Sequence, residues 1–141
     1  MIDDLVRQGL IKRLPVDRKK VDDALAHATR DLATAGTLVA SDQDWAYTIA
    51  YNAILQAGRA LMFANGYRPD GANQHVAVVK FAEIYLEPAD TVIFDRMRRK
   101  RNSSVYDTTG AISEREAETA LVQAESLVKK ITACIGSYSH Q

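Results

Sequence analysis

The chain has 141 residues, 47% of them hydrophobic and 26% charged, the composition of one soluble globular domain rather than of a disulfide scaffold. Eighteen Lys and Arg balance eighteen Asp and Glu, so any attraction for nucleic acid or membrane must be local rather than global. The one cysteine, Cys134, excludes an intrachain disulfide, and His27, His75 and His140 are scattered without metal-ligand spacing.

A single domain over residues 1–141, with its core from about 17 to 135, is expected, with no metal and no cofactor. No apolar run approaches the roughly 20 residues of a membrane span. The start, MIDDLVRQG, is acidic where a signal peptide is basic, so a cytoplasmic location without membrane association is expected.

Apolar residues recur at steps of three and four almost throughout, and no two-residue alternation stands out. The fold class is therefore all-α, an up-and-down bundle of four or five main helices. A short helix spans Ile2 to about Gln8 and stops at Gly9. Asp17 caps the first long helix, whose buried stripe is Val21, Leu25, Ala28 and Leu32. Ser41, with Asp44 three residues on, opens the second, with Trp45, Ile49, Ala53, Ala57, Ala60 and Phe63 on one face, and Gly66 ends it.

After the polar loop YRPDGANQ, Asn73 caps a third helix reaching about Leu86, with Val76, Val79, Ala82 and Ile84 inside. Pro88 closes it, and Asp90 caps a fourth, holding Val92, Ile93, Phe94 and Met97. DTTGA is a loop. Ser113 and Glu116 form a capping box for the last helix, with Ala117, Leu121, Ala124, Val128, Ile131 and Ile135 as its core stripe.

The fourth helix ends in RRKRNSSVYD. Arg96, Arg98, Arg99, Lys100 and Arg101 place five cations in six residues. A helix C-terminus favours cations by about 0.3–1 kcal/mol each, which explains a few of them as a solvated last turn. A phosphate- or RNA-binding patch explains the density better. Arg98, Asn102 and Tyr106 share a stripe, whereas Arg101 and Tyr106 converge only if the helix ends or bends near Ser103 and Ser104. Arg59, inside an otherwise apolar run, either snorkels to solvent, pairs with a carboxylate, or reaches toward this site. His75 reads most simply as a first-turn residue bonded locally.

Two stretches resemble the HEPN (higher eukaryotes and prokaryotes nucleotide-binding) domain family. YNAILQAGRALMFANGYRPDGANQHVAVVKF, residues 51 to 81, is similar to the family's alanine-rich second helix, its Gly-x-x-Pro loop, a histidine and the next helix. RNSSVYD falls where the family has Arg, often Asn, and a His a few residues on. The resemblance implies a helical bundle that forms a homodimer, and a ribonuclease-type toxin paired with a nucleotidyltransferase antitoxin.

Carried over residue by residue, the catalytic candidates are Arg101 and Asn102, with Tyr106 standing where the family has His. A phenol near pKa 10 is a poor base at neutral pH, and loss of a general base typically costs about 10²–10⁴ in rate. The expectation is therefore an RNA- or nucleotide-phosphate-binding protein, the toxin-like component of a toxin–antitoxin or defence module, whose ribonuclease activity is weak if present. A non-catalytic dimeric protein-interaction module is the alternative.

Overall fold

The computed structural model describes residues 1–106 and 112–139, and the side chains of residues 1–102 and 112–136. The chain runs α1 (Ile2–Arg7), β1 (Ile11–Arg13), α2 (Arg18–Leu38), α3 (Gln43–Ala64), β2 (Tyr67–Pro69), α4 (Gln74–Ala82), α5 (Pro88–Tyr106) and α6 (Glu114–Ser139). Every expected helix is present, and the loop expected at DTTGA lies outside the described residues. The two short strands were not expected. They pair antiparallel, Ile11 with Pro69, Lys12 with Arg68 and Arg13 with Tyr67. Three residues are too few to display a period of two, which is why the pattern hides them.

Local chemistry explains the boundaries. Asp17 accepts a hydrogen bond from the Lys19 amide at 3.0 Å, the cap its position suggests. For α3 the cap is Asp42, not Ser41. The Leu38 carbonyl takes both the Ser41 and Asp42 amides, at 3.0 and 2.7 Å, and the turn leaves Asp42 to accept from Trp45 N at 3.2 Å. Asp44 instead reaches Ile112 N at 3.3 Å. Gly66, at φ +82°, takes the left-handed position after α3 that a side chain would resist.

Helix α4 stops at Ala82, short of Leu86. The Ile84 and Tyr85 amides close i→i+3 turns on Phe81 and Ala82 instead. Pro88 opens α5 rather than only closing its predecessor, as the missing N–H permits at a first helical position. Asp90 is not a cap. Its buried carboxylate takes two hydrogen bonds from Lys130 Nζ on α6, at 2.9 and 3.1 Å. The capping box is as expected, with Glu116 N donating to Ser113 Oγ at 3.0 Å and Ser113 N to Glu116 Oε1 at 3.4 Å.

Helix α3 is the axis of the bundle and packs against α2, α4, α5 and α6. A helix surrounded in this way must be apolar on nearly every side. Ala46, Ala50, Ala53, Ala57, Gly58 and Ala60 keep its surface small, and Ile54, Leu61 and Met62 fill between its neighbours. The α6 stripe is as read, with Leu121 only partly covered. Trp45 is 57% exposed, because the face that packs begins at Ala46, about 100° around the helix. Val92 is 61% exposed, since it lies on the side of α5 opposite Phe94 and Met97. No helix among the described residues is long and apolar enough to cross a membrane.

At Gly58 a side chain of α4 packs directly against α3. A Cβ there would lie 2.4 Å from Val78 Cγ1, an atom of a stiff, fully buried side chain. Gly58→Ala should therefore destabilise the fold. Overpacking costs about 1–3 kcal/mol and outweighs the roughly 1 kcal/mol gained in helix propensity. Thermal melts should show the loss, with partial recovery in the Gly58→Ala, Val78→Ala double variant. A stabilised single variant would contradict this contact.

Candidate functional site

Helix α5 carries its core face outward and changes it from apolar to basic. Phe94 and Met97 are buried, and Arg98 and Arg101 continue the same face at four and seven residues from Phe94. The basic cluster then divides. Arg98 Nε and Arg99 Nη2 both pair with Asp95, at 3.0 and 3.1 Å. Lys100 Nζ reaches Glu116 Oε2 on α6 at 3.6 Å. Arg96 is exposed and borders a separate pocket of about 330 Å³ with Tyr47, Ser113, Arg115 and Glu116. Arg101 Nη1 donates to Asn102 Oδ1 at 3.1 Å.

The charges of Arg98 and Arg101 act on a pair joined from two other helices. Tyr51, in α3, is 1% exposed, and its hydroxyl lies 2.9 Å from Nδ1 of half-buried His75 in the first turn of α4. The Tyr51 ring sits 5.7 Å from the His75 ring and 6.1 Å from Phe94. Arg59, two turns along α3 from Tyr51, has a buried Nε that meets no hydrogen-bond partner among the described residues. Arg59, Arg98 and Arg101 all act electrostatically on both Tyr51 and His75. Two helices thus supply three guanidinium groups whose charges act on a phenol–imidazole pair that itself joins α3 to α4.

The HEPN domain family model matches residues 21–134. The chain belongs to the HEPN domain family. Two solved structures share the fold. One is TT1696 from Thermus thermophilus, 19% identical, with a TM-score of 0.63 over 81% of this chain and 97% of that one. The other is ST0689, an archaeal HEPN homologue, 18% identical, with a TM-score of 0.65 over 82% of this chain and 97% of that one. No curated protein matches the chain.

In this HEPN domain Arg101 and Asn102, the motif candidates, are adjacent and bonded to each other. The α5 backbone stays helical through Tyr106 rather than stopping at the serines. The side chains of Ser103, Ser104 and Tyr106 lie outside the described residues, as does His140. Of the cations grouped with Arg101 by sequence, Arg99 shares Asp95 with Arg98, Lys100 reaches Glu116, and Arg96 borders the Tyr47 pocket. Sequence reasoning passes over Tyr51 and gives His75 only a local bond. The two are 24 residues apart and joined only by helix packing. The available signal was Arg59, a lone cation in an apolar helix followed by a histidine at the next helix start. No group of three or more His, Cys, Asp or Glu suited to a metal ion occurs among the described residues.

The charges tune the pair. Burial, opposed by the three arginines, raises the Tyr51 phenol far above its ordinary 10.0, so the hydroxyl stays protonated. Burial, reinforced by Arg101, Arg59 and Arg98, lowers His75 below 6.5, so the imidazole is neutral at pH 7. The unfolded chain takes up the proton first as the pH falls through 6.5. The contribution of neutral His75 to stability is thus complete above 6.5 and declines from there down to its folded pKa. NMR of the free protein should show His75 titrating below 6.5, and His75→Gln should flatten the loss of stability under acid. A titration at or above 6.5 would contradict the arrangement.

Proposed function

We propose that this HEPN domain binds the phosphate groups of RNA or nucleotides where Arg98, Arg101 and Asn102 on α5 meet Arg59 of α3. The observation that carries this reading is the buried, unpartnered Arg59 Nε on the helix that holds Tyr51, together with three guanidinium groups whose charges act on both Tyr51 and His75. Like charges held together repel, and a buried guanidinium N–H without a partner, as at Arg59, costs about 1–3 kcal/mol or more. A phosphate offsets both, because its oxygens accept from planar, forked donors and its charge opposes theirs. Asn102 adds an amide that donates or accepts beside Arg101. Tyr106, one turn beyond Asn102, is part of this reading as a donor to phosphate or a stacking surface for a base. The toxin-like role, with a nucleotidyltransferase antitoxin as partner, rests on family membership alone, as does a homodimer.

Fluorescence anisotropy with a short single-stranded oligoribonucleotide tests the site. Binding should weaken as salt rises, and Arg98→Ala with Arg101→Ala should weaken it further and reduce the salt slope by roughly one per lost phosphate contact. Arg59→Met, which keeps an unbranched side chain, should do the same while removing an unmatched buried N–H. An unchanged slope in the Arg98, Arg101 double variant would show that α5 ends only in a solvated turn. Sedimentation velocity at micromolar concentration checks the dimer, and a monomer alone would remove that part.

A further inference from the structure

Arg96 stands two residues beyond Phe94, about 200° around α5, so it faces away from the surface that Arg98 and Arg101 continue. There it borders the pocket of about 330 Å³ lined by Tyr47 of α3 and the first turns of α6. We propose that this pocket binds a small hydroxylated carboxylic acid, its carboxylate held by Arg96, Arg115 and the Tyr47 hydroxyl. The inference goes beyond phosphate binding and does not depend on it.

The core builds the pocket. Asp44, in the first turn of α3, accepts from Ile112 N at 3.3 Å, and buried Ile112 holds the start of α6 beside α3. Ala120 of α6, small and covered, lines the pocket with Tyr47. Tyr47 is 7% exposed, yet no described residue bonds its hydroxyl, and that oxygen is not sealed from the pocket. A covered phenol ordinarily finds a partner, as Tyr51 does in His75. The Tyr47 hydroxyl therefore keeps its donor for whatever enters. Burial, opposed by Arg96 and reinforced by Glu116, pushes this phenol up to about 12, so it stays protonated and donates to an anion.

The lining fixes the class of ligand. Arg96 and Arg115 form no ion pair among the described residues, and each presents a planar fork of donors that matches a carboxylate. Glu116 is already occupied, its Oε1 by Ser113 N at 3.4 Å and its Oε2 by Lys100 Nζ at 3.6 Å. Two guanidinium groups against one carboxylate leave the lining a surplus of one positive charge. A monoanion balances that surplus, whereas a phosphate dianion beside Glu116 exceeds it. Ser113 Oγ accepts from Glu116 N, so its own proton, with the polar ends of Thr119 and Gln123, is left for hydroxyl groups on the ligand body. The volume stands at the low end of ligand sites, about 300–1,000 Å³, which suits a molecule of a few carbons rather than a polymer.

NMR of the full-length protein, following the Tyr47 ring and the Arg115 side chain, tests this with glycerate as the probe and with glycerol and inorganic phosphate beside it. Glycerate should shift both sets of signals saturably, with a dissociation constant on the order of 1 mM. Glycerol, which has hydroxyls and no carboxylate, should leave them in place, and phosphate should bind more weakly. Tyr47→Phe removes only the hydroxyl and should weaken glycerate binding by about tenfold, the worth of one hydrogen bond to a charged group. Arg115→Gln, at an exposed position, should weaken it at least as much, and it decides the matter if the Tyr47 variant fails to fold. Arg98→Ala with Arg101→Ala should leave glycerate binding unchanged. Signals unmoved up to roughly 50 mM glycerate, or wild-type affinity in both pocket variants, would overturn the site. Phosphate binding more tightly than glycerate would overturn the carboxylate class. Loss of binding in the Arg98, Arg101 variant would place the probe elsewhere and overturn the pocket.

Discussion

The contact between the Tyr51 hydroxyl and His75 Nδ1 is the constraint from which the rest of the site follows. A phenol oxygen at the edge of a dry core needs a polar partner, and here that partner stands in the first turn of a different helix. The bond fixes the start of α4 against the middle of α3. Phe94, against the same ring, fixes α5. Gly58, farther along α3, lets Val78 of α4 approach to a distance that no larger residue permits. Once the three helices are set by apolar packing, the extension of α5 past Met97 brings the charges of Arg98 and Arg101 to bear on the pair. The position of the charge is a consequence of the core.

Elsewhere the bundle matches its covered polar groups. Asp90 takes two hydrogen bonds from Lys130, and Asp31 accepts from Asn52 at 2.8 Å across the α2–α3 interface. Removing one partner of such a pair strands a desolvated group, which is why they come matched. Arg59 departs from that pattern among the described residues. The departure sits beside a half-buried histidine whose charged form is disfavoured by the same guanidinium groups. The Arg59 Nε–H is the group that the proposed anion site would satisfy.

Much of the fold was legible because helices announce themselves locally. The Ser113–Glu116 box, the Asp17 cap, Gly66 and the α6 stripe depend on neighbours within a few residues, and these were read in place. The failures share a cause. Trp45 and Val92 are apolar residues just off a buried stripe, and a period of 3.6 does not fix the width or centre of that stripe. Asp90 satisfies a cap pattern, yet 40 residues away Lys130 offers it a charged partner that no spacing rule can see. The strands β1 and β2 are too short for a period. At the site, the sequence pointed to Arg98, Arg101 and Asn102 because they lie together in one motif. It offered no means of distinguishing the two arginines from Arg96, Arg99 and Lys100, whose charges are not among those that act on Tyr51 and His75. His75 and Tyr51 are tied by tertiary packing alone.

The central claim is that the three arginines and His75 form one anion site. It is tested most directly by following the His75 ring nitrogens through a pH titration, with and without a bound 2′-deoxy oligonucleotide that cannot be cleaved. Burial and the arginines hold His75 below 6.5 in the free protein, so a phosphate seated among those arginines should offset their charge and raise its pKa. A rise on binding that disappears in the Arg98→Ala, Arg101→Ala variant is the predicted result. An oligonucleotide that binds while the His75 titration stays where it was would contradict the account, because the anion would then lie somewhere other than beside His75.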